Sequence, residues 1–224
     1  GTTCTGTPRT FTITVNPTPT VDPVANQAVC NNSATTAVNF TGFVPGTVYN
    51  WTNSYPSIGL AASGTGNIAS FTATNPGTAP VTATITVTPS YTNAGTTCTG
   101  TPITFDITVN PTGQVNQPAS QVVCNNTPTA PVNFTTTVPG TVFDWVNNTP
   151  SIGLAASGTG NIASFTATNA TNAPVVATVT VTPSYVSSVS GTQTFNFTGG
   201  IQTFTVPAGV TSVFLQSWGA QGGS

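Results

Sequence analysis

From residue 81 the chain reads Val-Thr-Ala-Thr-Ile-Thr-Val, so that Val81, Ala83, Ile85 and Val87 alternate with three threonines. A period of two puts the apolar set on one face and the hydroxyls on the other, the pattern of a half-buried antiparallel strand. Ile103, Phe105, Ile107 and Val109 alternate in the same way with Thr104, Asp106 and Thr108. Extended along the chain, this reading predicts strands near 27–30, 36–41, 47–52, 67–73, 81–88 and 102–109, with a Gly-rich stretch at 58–66. Val44-Pro45-Gly46-Thr47 predicts a tight turn, since Pro fixes φ and Gly accepts a positive one. Nothing supports a helix: Thr and β-branched residues dominate, and Gly and Pro interrupt every apolar run. The predicted fold class is all-β, made of antiparallel sandwiches.

The pattern then repeats with a period of 94 residues. Residues 56–75, PSIGLAASGTGNIASFTATN, return unchanged at 150–169. VNF at Val38 returns at Val132, VPGTV at Val44 returns at Val138, and TVTPSY at Thr86 returns at Thr180. A fixed period signals an array, and this one is the size of a single small sandwich. Boundaries are expected at the Val-Asn-Pro joints, Val15-Asn16-Pro17 and Val109-Asn110-Pro111, the first followed by a Pro-spaced, semi-rigid linker. Four segments follow. Residues 1–18 align with the end of a repeat and read as the last strand of a preceding one. Residues 19–112 form one repeat and 113–198 a second with a divergent end, in which 192–198 could supply the final strand. Residues 199–224 open a Gly-rich β domain. Both ends interrupt a pattern, so the chain is read as a piece of something longer.

Composition excludes more than the motifs suggest. The chain has one Arg, three Asp, and no Lys, Glu, His or Met. Acid–base catalysis needs titratable side chains held together, but Asp22, Asp106 and Asp144 occupy different repeat positions. Zinc and calcium sites need clustered ligands that no repeat provides. Catalytic, metal and cofactor sites are therefore all expected to be absent. Arg9 alone cannot neutralise a phosphate backbone, which argues against nucleic acid as a partner. No apolar run is long enough for a membrane helix, so membrane insertion is not expected. With 37% hydrophobic residues in regular alternation, the chain does not have a disordered composition either. Its surface must be made of Thr, Asn, Ser and Gln, without the like-charge repulsion that keeps identical molecules apart.

Trp51 and Trp145 stand in the third predicted strand of each repeat, where a sandwich takes one large central residue, and both are assigned to the core. Gly64-Thr65-Gly66 and Gly158-Thr159-Gly160 lack a following helix or Lys and read as turns. Four cysteines in such a chain suggest an oxidising, extracytoplasmic setting. The preferred pairing is Cys30 with Cys98 within one repeat, leaving Cys124 opposite Thr192 and Cys4 without a partner. The rival joins Cys4 to Cys30 and Cys98 to Cys124.

The elements VCNN, the Trp-bearing strand, SFTATN, TVTPSY, CTGTPITFDITVNP and the Pro-rich joint resemble the PKD-like, Ig-like repeats of very large Bacteroidetes surface proteins. Some of those are gliding-motility adhesins exported by a type IX pathway. The resemblance covers residues 1–185, although the acidic, Gly-bearing motif that follows the Trp in typical PKD domains is absent. It implies tandem Ig-like/PKD-like sandwiches, an extracellular, cell-surface location and a structural or adhesive role as stalk or filament spacer. The resemblance supplies no ligand; the expected partners are an unknown surface ligand, with glycans as one candidate, and neighbouring copies of the chain in a filament. The alternatives are a carbohydrate-binding module, for which Tyr49/Phe143 and Tyr91/Tyr185 are the candidate platforms, and ice binding through the Thr rows.

Overall fold

A computed structural model describes residues 1–187 together with 195, 203, 213 and 214. The architecture is all-β, with two single 3-10 turns as its only helical elements among the described residues. The chain forms two compact units, one from Gly1–Asn75 and Pro80–Val109, the other from Pro76–Ala79 and Asn110 onward. The final strand expected at 192–198 and the Gly-rich domain at 199–224 lie outside the described residues, apart from single positions.

The first unit contains β1 (Gln27–Cys30), β2 (Val48–Asn53), β3 (Ser63–Thr65), β4 (Val81–Asn93), β5 (Thr96–Thr99) and β6 (Ile103–Asn110). They form one sheet in the order β1-β6-β4-β2-β3, with β5 paired to the far end of β4. The β4–β6 ladder is antiparallel and runs from Val81 opposite Val109 to Val87 opposite Ile103. Alternation places the apolar residues as expected: Ala83, Ile85, Val87 and Val109 are fully buried, Phe105 and Ile107 almost so. β4 then continues past Val87 and pairs with β5 across a loop in which Ala94 and Gly95 both have positive φ. That geometry matches the twist of a two-residue hairpin. Pro89 sits where one flank of β4 passes from β6 to β5. Its carbonyl accepts the Gly100 amide at 2.9 Å on that flank. Because N and O of one strand residue point the same way, the missing N–H of Pro89 falls in the gap between the two partners.

The second layer is thinner than the alternation suggests. Residues 36–41 and 67–73 are not continuous strands; they touch through the isolated antiparallel bridge Val38–Ile68, and a second bridge, Ala34–Thr72, lies just before the first of them. Side chains take the place of ladder bonds. Asn67 Oδ1 accepts the Phe40 amide at 2.9 Å, Thr35 Oγ1 accepts the Phe71 amide at 3.1 Å, and Ser70 Oγ donates to the Thr35 carbonyl at 2.5 Å. Ser, Thr and Asn compete with regular pairing in this way. Val38, Phe40 and Ile68 from this layer close over Trp51, Ile85, Phe105 and Ile107 to form one core.

The second unit contains β7 (Thr141–Asn147), β8 (Ser157–Thr159) and β9 (Val179–Tyr185), ordered β8-β7-β9. Its second layer repeats the first, with bridges Pro128–Thr166 and Val132–Ile162. Its core is smaller, centred on Phe134, Trp145, Leu154 and Ile162. Two stretches with close sequence counterparts in the first unit lose their strand character here. QVVC at 121–124 carries no strand, although QAVC at Gln27–Cys30 does, and 175–178 precedes β9 instead of belonging to it. In the first unit both stretches flank β6. Among the described residues the second unit has no equivalent of β6, and without a partner the same residues form no ladder.

The cysteine expectation is corrected. Cys4, Cys30, Cys98 and Cys124 are all free thiols. Cys98 pairs with Tyr91 at the far end of β4. Cys30 lies at the other end. Its neighbour Asn31 accepts the Asn75 amide through Oδ1 at 2.7 Å, and Asn75 Nδ2 donates to the Val109 carbonyl, opposite Val81. The ten residues from Val81 to Tyr91 span about 33 Å of strand, whereas a disulfide needs Cα atoms within about 7 Å. Spacing along the chain identified the cysteine-bearing strands but not which end of each strand carries the thiol.

Candidate functional site

The most elaborate constellation in each unit surrounds the Trp. Trp51 is 7% exposed, and so is Trp145. Trp51 lies opposite Gly64 in the β2–β3 ladder, as Trp145 lies opposite Gly158. A β-carbon at Gly64 would come within 2.2 Å of the Trp51 Cζ2 atom, and Gly158 stands in the same relation to Trp145. The indole N–H then donates to the carbonyl of Gly66 at 3.1 Å, and that of Trp145 donates to Gly160 at the same distance. The Gly-Thr-Gly motif is therefore the floor and the hydrogen-bond acceptor of a buried ring, with no geometry for holding phosphate. A buried indole with its N–H satisfied is a packing element.

Two buried asparagines complete this corner. Asn53 Nδ2 donates to the Leu60 and Ala61 carbonyls at 3.0 and 3.3 Å, and its Oδ1 accepts the Tyr55 amide at 2.9 Å. Asn147 makes the corresponding bonds to Leu154, Ala155 and Thr149. Sequence reasoning missed both. Their signal was an Asn at the inward end of a strand, just before a Pro-Ser-Ile turn, at the same place in both repeats.

The rings of the candidate aromatic platforms pack against neighbouring rings or turns. Tyr49 packs on Phe40 with ring centres 5.6 Å apart, and Phe143 on Phe134 at 5.4 Å. Burial, and next to it the negative charge of Asp22, raises the Tyr49 pKa above the ordinary phenol value. Tyr91 lies beside the Gly46 turn and Tyr185 beside the Gly140 turn. The strongly exposed ring of Phe43 is replaced by Thr137 in the second repeat, and the half-exposed Tyr55 by Thr149. The Thr rows are not free either. Thr82 and Thr108 share a hydrogen bond of 2.9 Å, and Thr84 Oγ1 donates to Asp106 Oδ1 at 2.8 Å.

Among the described residues no group of three or more His, Cys, Asp or Glu side chains could hold a metal ion, and no helix is long and apolar enough to cross a membrane.

What remains is a cleft of about 720 Å³ in the second unit. Its walls are residues 121–124 on one side and 175–181 on the other, and Val132, Phe134 and Ile162 form its floor. These are the counterparts of the groups that enclose β6 in the first unit. Exposure follows: Ala83, Ile85 and Val87 are fully buried, while Ala177, Val179 and Val181 are only half-buried. Asn169 also differs. Its amide matches that of Asn75, which holds the Val109 carbonyl of β6, but it donates to the Ala173 carbonyl of its own loop at 2.9 Å. Comparison of the chain with protein-family models and with curated proteins gave no match.

Proposed function

We propose that this chain is part of the structural and adhesive repeat region of a secreted cell-surface protein, serving as a stalk or filament spacer. The observation that carries the reading is the literal repetition of 56–75 at 150–169, with the same buried Trp, Gly floor and Asn clamp in both copies. What is preserved is the part that makes a sandwich rigid. The rings in the candidate platform positions are packed inward or against turns. The two exposed rings named above have no aromatic counterpart in the other copy. This favours a spacer over a carbohydrate-binding module, which would repeat its platform. The near-absence of charge supports dense surface packing.

Labelling of intact cells that produce the protein, with antibodies raised against residues 1–187, tests the location. Signal on unpermeabilised cells is expected, and signal only after permeabilisation would end the reading. A glycan-binding screen of the purified chain tests the role. No saturable binding is expected, and binding abolished by Tyr91→Ala or Tyr185→Ala would favour the carbohydrate module instead.

A further inference from the structure

We infer that the first unit is a mechanical clamp. Its opening and closing strands lie side by side and run in the same direction, so tension along the chain shears them instead of peeling them apart. That such tension acts on the chain rests on the stalk reading; the clamp rests on the geometry of one unit. Failure of the surface labelling would remove the load and leave the clamp untouched.

Three contacts fix the direction of the entering chain. The Pro19 carbonyl lies against Gly100, where a β-carbon would collide with it. Asn26 Oδ1 accepts the Asp106 amide at 2.8 Å, and β1 follows as the neighbour of β6. Asn31, just past β1, accepts the Asn75 amide through Oδ1, and Asn75 Nδ2 donates to the Val109 carbonyl, both at 2.7 Å. Residues 19, 26 and 31 thus stand beside 100, 106 and 109 in rising order. β4 is antiparallel to β2, β5 and β6, whereas β1 and β6 run parallel.

That direction decides how the unit carries load. The chain enters at Pro19 and leaves β6 at Asn110, points about 30 Å apart along the strand. Tension between them drives β1 and β6 in opposite directions along their common axis. The hydrogen bonds joining them are strained together, and none is freed before the others. Had entry and exit lain at one end, the bonds would break singly. β4 holds the other flank of β6 in a ladder from Val81–Val109 to Val87–Ile103, which the same pull shears.

The entering segment is also tied to the second layer. Gln27 Nε2 donates to the Thr36 carbonyl and its Oε1 accepts the Thr36 amide, both at 2.9 Å. The Asp22 amide donates to the Thr41 carbonyl at 2.8 Å, and Asp22 Oδ2 accepts from Thr41 Oγ1 at 2.6 Å. Val24 and Val29 pack against the core between these ties. The Trp corner of β2 and β3 lies off the load path, because neither strand joins entry to exit.

The test is constant-force unfolding of the whole chain, held by its two ends in a single-molecule instrument. A Gly-Ser insertion at the exposed Ala94-Gly95 turn lengthens the extension released by the first unit and so labels its step. Forced unfolding reads the unfolding barrier, not the equilibrium stability. Asn26→Ala removes one bond from an exposed site and leaves the unit folded. It should unfold about fivefold faster under load, the effect of one hydrogen bond lost from the barrier. Asn53→Ala, in the Trp corner, is the control. It should be the less stable variant in urea yet unfold under load at the wild-type rate, since its contacts persist at the barrier. Rates under load that follow the urea midpoints, or an Asn26→Ala chain that unfolds at the wild-type rate, would overturn the inference. So would a labelled unit that lengthens gradually, without a distinct step.

Discussion

Gly64 meets Trp51 so closely across the β2–β3 ladder that a single methyl group on its α-carbon would fall 2.2 Å from the indole Cζ2. Neither partner can yield. The same edge of the ring is held by the bond from Nε1 to the Gly66 carbonyl, and the glycine is held by its own ladder. Gly64→Ala should therefore destabilise the first unit by about 1–3 kcal/mol, the usual cost of overpacking. Urea unfolding followed by tryptophan fluorescence would show it. Gly158→Ala should do the same to the second unit, because Trp145 stands in the same relation to it.

The clamp beneath that corner gives a second expectation. Asn53 has 7% of its surface exposed and serves three backbone groups. Asn53→Ala leaves two carbonyls and one amide to find other partners. A loss of about 2 kcal/mol is expected from unsatisfied buried groups, read as a lower denaturation midpoint. Asn53→Asp should be worse, since it directs a carboxylate at the carbonyls of Leu60 and Ala61. A neutral result for either variant would show that water replaces the amide without penalty.

Val87 and Val181 are the same residue at the same repeat position, one fully buried beside β6 and the other half-buried at the cleft. Val87→Ala should lose about 2–3 kcal/mol through transfer and cavity effects, and Val181→Ala less than half of that. Equal losses would mean that the cleft is filled in solution.

Alkaline pH should separate the two units. The Tyr49 pKa is raised in the folded chain, by burial first and by Asp22 second. Between the unfolded phenol value of about 10 and the higher folded value, the unfolded chain has lost a proton that the folded one keeps. Stability then falls as pH rises. The second unit has Phe143 and Asn116 in these places and escapes this effect. Thermal unfolding across this range should show a pH-dependent loss in the first unit that Tyr49→Phe removes.

All four thiols should be alkylated in the native, unreduced protein, with Cys4, Cys30 and Cys124 ahead of the half-buried Cys98. Peptide mapping without reductant should find no link between Cys30 and Cys98. Recovery of that linked peptide would require a different strand arrangement.

Alternation alone made the inner faces of β4 and β6 legible, because both are long and each has one face in the core. It overstated 36–41 and 67–73, where Thr35, Asn67 and Ser70 bond to backbone that a ladder would otherwise use. It missed β5, whose Thr-rich residues carry no apolar period and owe their pairing to the Ala94-Gly95 turn. The cleft was beyond a local reading altogether. QAVC and QVVC look alike to any pattern, and only the presence of a neighbour decides which one becomes a strand. The Trp corner was half visible: the ring was assigned to the core from its position, but its glycine floor and asparagine clamp depend on contacts across the ladder.

The position of β6 also sets an order of events. It is the last strand of the first unit to be synthesised, yet it lies inside the sheet between β1 and β4. A chain emerging from a ribosome presents β1 to β5 with that central place still open. It cannot close until about residue 110 has followed. The first unit is therefore a late-locking domain, becoming compact only once its own end is out. Contacts between β1 and β6, far apart in sequence, make that final step slow compared with local pairing.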